Sequence, residues 1–123
     1  MESTLPDVVT RFFPYKRLRP FQGELIRSIY EAVKEGEPVV VEGASGMGKT
    51  VAVLSAVLPL CKEEGLKVFY CCRTHKQMDR VVEELKVISR KREVTGLALR
   101  GRRELCLYRD VAKGSPDLQT FLD

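Results

Sequence analysis

An α/β fold, a parallel sheet flanked by helices, is what this sequence predicts. Two patterns and one motif carry the prediction. Short apolar runs at 39–42, 67–72 and 94–99 have strand length and the near-continuous hydrophobicity of strands buried on both faces. Amphipathic stretches of helical period lie before and between them. The order helix, strand, helix, strand, helix, strand predicts parallel strands joined by crossover helices. Between the first run and the next helix, residues 43–50 read Gly43-Ala44-Ser45-Gly46-Met47-Gly48-Lys49-Thr50. That is G-x-x-x-x-G-K-T, the phosphate-binding P-loop, in the strand-to-helix setting it requires.

The elements follow in order. Residues 1–18 read as an irregular lead-in with an aromatic patch, Phe12-Phe13-Pro14-Tyr15. Arg19-Pro20 opens a helix to about residue 35. Phe21, Leu25, Ile29 and Val33 recur every four residues there, with Ile26 and Tyr30 beside them. Gly36 suits its C-terminal stop. After the first strand and the loop, a helix is expected from about 49 to 63, ending before Gly65. The second strand follows at 67–72. The next helix places Met78, Val81, Val82, Leu85 and Ile88 on one face and Arg80, Glu83, Glu84 and Lys86 on the other. A third strand is expected at 94–99, and Gly114-Ser115-Pro116-Asp117 reads as a turn or linker.

The chain has 123 residues, enough for one domain with a core. Its net charge of +4 is a modest basic bias, compatible with nucleic acid without specifying it. No apolar run approaches the roughly 20 residues that span a bilayer, and the acidic start Met1-Glu2-Ser3-Thr4-Leu5-Pro6-Asp7 lacks a signal-peptide core. The expectation is an intracellular protein, cytoplasmic in a prokaryote or nuclear in a eukaryote, with no membrane partner. Its cysteines, Cys61, Cys71, Cys72 and Cys106, would then be reduced. Cys71 and Cys72 are adjacent and do not form a C-x-x-C metal knuckle.

The loop's chemistry assigns the first candidate residues. Gly43, Gly46 and Gly48 let backbone N–H groups turn inward around a phosphate, with Ala44, Ser45 and Met47 completing the cradle. Lys49 can reach the β- and γ-phosphates of ATP, and the Thr50 hydroxyl can sit beside Mg²⁺. These two are the candidate catalytic groups. Gln22, about twenty residues before the loop, has an amide able to read adenine, or is an ordinary polar residue at a helix start. Arg73 and Thr74 stand in a polar run after the second apolar strand, suited to a nucleic-acid backbone or simply to a solvated turn. Further on, Arg100, Arg102 and Arg103 form a basic cluster that runs into Cys106.

Taken together, these segments resemble the XPD family of superfamily 2 iron–sulfur DNA helicases. The resemblance runs from Phe13-Pro14-Tyr15 through Leu107. It takes in Arg19-x-x-Gln22, Glu42 before the loop, Arg73-Thr74, the Val-Glu-Glu-Leu of the following helix, and Gly-Leu-Ala-Leu…Leu-Cys. It implies a P-loop NTPase (RecA-like) partial domain. It makes Gln22 the adenine contact, residues 43–50 helicase motif I, and Arg73 and Thr74 motif Ia, which touches DNA. Cys106 resembles the first of four ligands to a [4Fe–4S] cluster. The implied parts are a lead-in at 1–18, helicase domain 1 at 19–100, and the start of a cluster domain at 101–123. The implied activity is ATP-dependent 5′-to-3′ helicase action on single-stranded or forked DNA in repair or transcription, with repair or transcription factors as partners.

The sequence departs from the family pattern in places. Met47 stands where a small hydroxyl residue is usual. No cysteine follows Cys106, and no Asp-Glu-x-His segment is present. The expectation is that this chain by itself does not turn over ATP, looks like the N-terminal piece of a longer helicase, and is marginal in stability. Two other readings stay open: another P-loop ATPase or a nucleotide kinase, and a degenerate remnant or interaction module without catalysis.

Overall fold

The computed structural model describes residues 5–105. Its elements are α1 (Asp7–Thr10), α2 (Gln22–Glu35), α3 (Lys49–Glu64), α4 (His75–Ser89) and α5 (Arg102–Leu105). The expected sheet is not there. Among the described residues no strand forms, and 39–42, 67–72 and 94–99 run without regular secondary structure. The parallel-sheet prediction is therefore corrected to a helical packing.

The physical reason is the lack of partners. A strand needs a ladder to a neighbour and cover over its faces. No backbone hydrogen bond joins one of these segments to another among the described residues. Their side chains meet solvent instead: Val40 is 98% exposed, Phe69 88% and Leu97 83%. Apolar composition creates a demand for burial but does not supply the surface that meets it.

The core lies between helices, with α3 at the centre and α1, α2 and α4 packed on it. The face of α2 carrying Gln22, Leu25, Ile26, Ile29 and Tyr30 is buried, the i, i+3, i+4, i+7, i+8 stripe of a helix docked on one side. It meets Val51, Ala52, Ala56 and Leu60 of α3, with Val9 of α1 and Phe13 completing the cluster. A smaller cluster of Phe12, Leu54 and Ile88 ties α4 to the other side of α3. Ile26 and Ile88 have no exposed surface, and each such side chain contributes about 2 kcal/mol.

The helix ends follow their sequence signals. Gly36 and Gly65 take left-handed φ values of 72° and 68° as C-caps of α2 and α3, a conformation glycine adopts without a Cβ penalty. Buried Pro59 lies inside α3 without ending it. The lead-in is less irregular than expected, since residues 7–10 form α1. Phe21, expected on the buried face of α2, instead adopts φ 64° just before the helix and is 71% exposed. That turn swings Gln22 inward in its place. No helix among the described residues is long and apolar enough to cross a membrane.

Candidate nucleotide site

The loop folds tightly onto the start of α3. Gly46 and Gly48 have φ values of 79° and 80°, left-handed conformations that a side chain strains. Gly48 is also hemmed in, because a Cβ there would collide with Gln22 Nε2. A Cβ on Gly43 would lie 2.9 Å from Met47 Sδ and 3.1 Å from Lys49 Cδ. Met47, the departure from the expected small hydroxyl residue, thus packs across the loop over Gly43. The Met47 N–H donates to the Ala44 carbonyl at 3.3 Å, and Lys49 Nζ donates to the Gly43 carbonyl at 2.8 Å.

The lead-in braces this loop from the other side. Gln22 is 2% exposed. Its Oε1 accepts from the Arg19 N–H at 3.0 Å, and its Nε2 donates to the Gly48 carbonyl at 3.1 Å. The Arg19 guanidinium donates to the Gly46 carbonyl at 2.5 Å. Gln22 therefore acts first as a strut between lead-in and loop. One amide proton and one oxygen lone pair remain for a ligand.

A cavity of about 620 Å³ opens in front of this assembly. Ser45, Gly46, Gly48, Lys49 and Thr50 form one wall, where the first turn of α3 begins. The first N–H groups of a helix have no internal partner and carry the positive end of its dipole. The lead-in adds Tyr15 and Arg17, the entry to α2 adds Arg19 and Gln22, and α4 adds Gln77, Arg80 and Glu84. The charged lining is thus Arg17, Arg19, Lys49 and Arg80 against the single carboxylate Glu84. This excess of cations beside a helix N-terminus is an electrostatic trap for a polyanion.

Glu84 is held from across the cavity. The Tyr15 hydroxyl donates to Glu84 Oε2 at 2.7 Å, and the Phe13 ring meets Tyr15 edge-on with centroids 5.9 Å apart. The hydrogen bond to Glu84 raises the Tyr15 pKa above its ordinary 10.0, and burial and the charge on Glu84 add to it while Arg19 opposes it. Lys91 Nζ also reaches the Phe13 carbonyl at 3.4 Å, a second tie between the lead-in and the end of α4.

Several sequence-predicted residues fall elsewhere. Arg73 and Thr74 are exposed and precede α4. Thr74 is the N-cap of α4 in a full capping box: its Oγ1 accepts from the Gln77 N–H at 3.2 Å, while Gln77 Oε1 accepts from the N–H groups of Thr74 at 3.3 Å and Arg73 at 3.0 Å. Cys106 lies outside the described residues. Among those described, no group of three or more His, Cys, Asp or Glu side chains could hold a metal ion. The described thiols, Cys61, Cys71 and Cys72, are free and belong to no such group. Thr50, half-buried at the cavity wall, does fit a hydroxyl ligand for Mg²⁺.

Sequence reasoning missed Tyr15, Arg17 and the α4 residues as parts of this cavity. For Gln77 a signal existed, since Thr74-x-x-Gln77 is a capping-box pattern. Tyr15 and Glu84 are 69 residues apart, and nothing local marks such a pair.

A loop closed around a lysine, at a helix N-terminus and facing a cation-lined cavity, offers groups that could hold a phosphate. Comparisons with known proteins narrow the class. The DEAD_2 family model matches residues 70–120. The helicase subunit XPD/RAD3 of general transcription and DNA repair factor IIH from Saccharomyces cerevisiae is 31% identical over 117 residues, covering 87% of this chain and 15% of that protein. The corresponding XPD subunit of Schizosaccharomyces pombe matches to the same extent. An ATP-dependent DNA helicase XPD from Sulfolobus acidocaldarius is 29% identical over 102 residues, or 83% of this chain and 18% of the relative. No solved structure matches. The chain belongs to the XPD family of helicases and corresponds to its N-terminal portion. It spans 15% of the length of the two yeast relatives.

Proposed function

We propose that this chain is the ATP-binding N-terminal segment of an ATP-dependent 5′-to-3′ DNA helicase acting in repair or transcription. The observation that carries the reading is the braced loop: Gln22 and Arg19 lock the Gly46–Gly48 turn, and Lys49 and Thr50 face a cavity with an excess of cations. ATP phosphates would lie against the N–H groups at the start of α3. Lys49 would exchange the Gly43 carbonyl for phosphate oxygens, a stronger charge-assisted bond. Thr50 would take a place on Mg²⁺, which neutralises charge on the phosphates when bound. Ser45 and Gly46 would donate from the loop, and the remaining amide proton and lone pair of Gln22 would suit an adenine edge.

Arg73 and Thr74 are the proposed DNA contacts. Both are exposed; Arg73 can pair with a phosphate, and the Thr74 hydroxyl, whose oxygen accepts in the α4 cap, keeps its proton to donate. The XPD relatives named above support DNA as the substrate and repair or transcription factors as partners. Residues 19–100 would be the ATP-binding part and 101–123 the beginning of a cluster domain. A [4Fe–4S] cluster is assigned no step here.

Photo-crosslinking to a labelled single-stranded oligonucleotide tests this reading against a nucleotide kinase. The helicase segment crosslinks, and Arg73→Ala reduces the yield severalfold. A chain that binds ATP and phosphorylates a nucleoside monophosphate without crosslinking would be a kinase.

A further inference from the structure

The capping box at α4 and the nucleotide cavity share one side chain. Gln77, Arg80 and Glu84 lie at i, i+3 and i+7, so a single face of α4 walls the cavity. At the start of that face Gln77 turns its Oε1 back to the N–H groups of Arg73 and Thr74, at 3.0 and 3.3 Å. Its Nε2 has no hydrogen-bond partner among the described residues, although the side chain lines the cavity. The two ends of one carboxamide thus serve two places. The oxygen fixes the turn that carries Arg73, and the nitrogen keeps two protons for another partner.

We infer that Gln77 is a positioning residue that couples nucleotide occupancy to the Arg73–Thr74 turn. The inference rests on the nucleotide reading above and goes beyond it. A nucleotide oxygen accepting from Gln77 Nε2 fixes the carboxamide plane. A fixed plane holds its oxygen on the Arg73 and Thr74 N–H groups and orders the turn for the incoming strand. The bound nucleotide therefore tightens single-stranded DNA binding. By linkage, DNA tightens nucleotide binding by the same factor. One hydrogen bond gained in only one of two states corresponds to about a fivefold coupling.

Gln77→Glu separates the two ends. Glutamate is equally competent in a capping box, so the oxygen and the start of α4 remain. The two amide protons are lost. The experiment measures single-stranded oligonucleotide affinity by fluorescence anisotropy, with and without Mg²⁺ and a non-hydrolysable ATP analogue. Nucleotide affinity is measured with and without oligonucleotide, and circular dichroism follows helix content. Wild type should show the fivefold effect in both directions. Gln77→Glu should keep helix content and lose the coupling. Gln77→Ala should lose the coupling and weaken DNA binding even without nucleotide. Coupling that survives in Gln77→Glu, or wild-type binding of both ligands without coupling, overturns the inference alone. Failure of wild type to bind the analogue overturns the nucleotide reading and this inference with it.

Discussion

Replacing Gln22 by Leu asks how much the brace between lead-in and loop contributes. The side chain is 2% exposed, and Leu keeps much of its volume while removing the amide. Two hydrogen bonds are lost, from the Arg19 N–H and to the Gly48 carbonyl. A net protein hydrogen bond is worth about 1 kcal/mol, so their sum is about 2 kcal/mol. The Gly48 carbonyl keeps its bond from the Ala52 N–H at 3.1 Å, which removes any orphan penalty on that side. The Arg19 N–H is only part-buried and water can reach it, so no large penalty is added there either. Gln22→Leu should therefore destabilise by about 2 kcal/mol, roughly a thirtyfold change in the folding equilibrium. Gln22→Ala adds a cavity beside Gly48 and should cost about 1–2 kcal/mol more. Urea unfolding followed by helix circular dichroism measures both, with the midpoint of Gln22→Leu falling by about 1 M at unchanged slope. A Leu variant as stable as wild type would refute the reasoning, because it would mean the amide is not bridging the two segments.

Other outcomes follow from single groups. The Ser55 hydroxyl is buried in α3 with no partner among the described residues, so Ser55→Ala should leave stability unchanged or raise it by about 1 kcal/mol in the same urea assay. Tyr15 has its pKa raised by its bond to Glu84; the stabilisation is therefore complete below pH 10 and lost as pH rises through the folded-state pKa. An alkaline titration of unfolding should show this loss in wild type and not in Tyr15→Phe. Burial, followed by the charge of Glu64, pushes the Cys61 thiol up, whereas Cys71 is exposed. Alkylation with iodoacetamide near pH 8, read by peptide mass, should label Cys71 well before Cys61.

The helices were legible because their signals are local. Leu25, Ile26, Ile29 and Tyr30 mark the buried face of α2 by spacing alone, and Gly36 and Gly65 end α2 and α3 where sequence places their stops. The same local reasoning failed at Val40, Phe69 and Leu97. Each belongs to a run with strand-like composition, but strand formation depends on a neighbour that spacing within the run does not reveal. Of the site, Gly43 to Thr50 could be read directly because a motif of fixed spacing encodes the loop. That Gln22 spans to Gly48 was not readable; its position suggested a ligand contact, and the fold first uses it as a brace. Phe21 misled for a related reason. Its place in the fourfold repeat suggests burial, yet with a left-handed backbone at the entry to α2 its side chain stays exposed. Arg80 and Glu84 were assigned to the solvent face of α4, which is correct for the core and conceals that the same face borders the cavity.

The central claim is that the loop binds nucleotide through Lys49. Calorimetric titration of the 123-residue chain with ATP in the presence of Mg²⁺, beside the same titration of Lys49→Ala, tests it most directly. The account predicts saturable one-site binding that is lost, or weakened by at least tenfold, in the variant. Equal binding by both proteins would contradict it, as would the absence of binding in a wild-type sample whose helices are intact by circular dichroism.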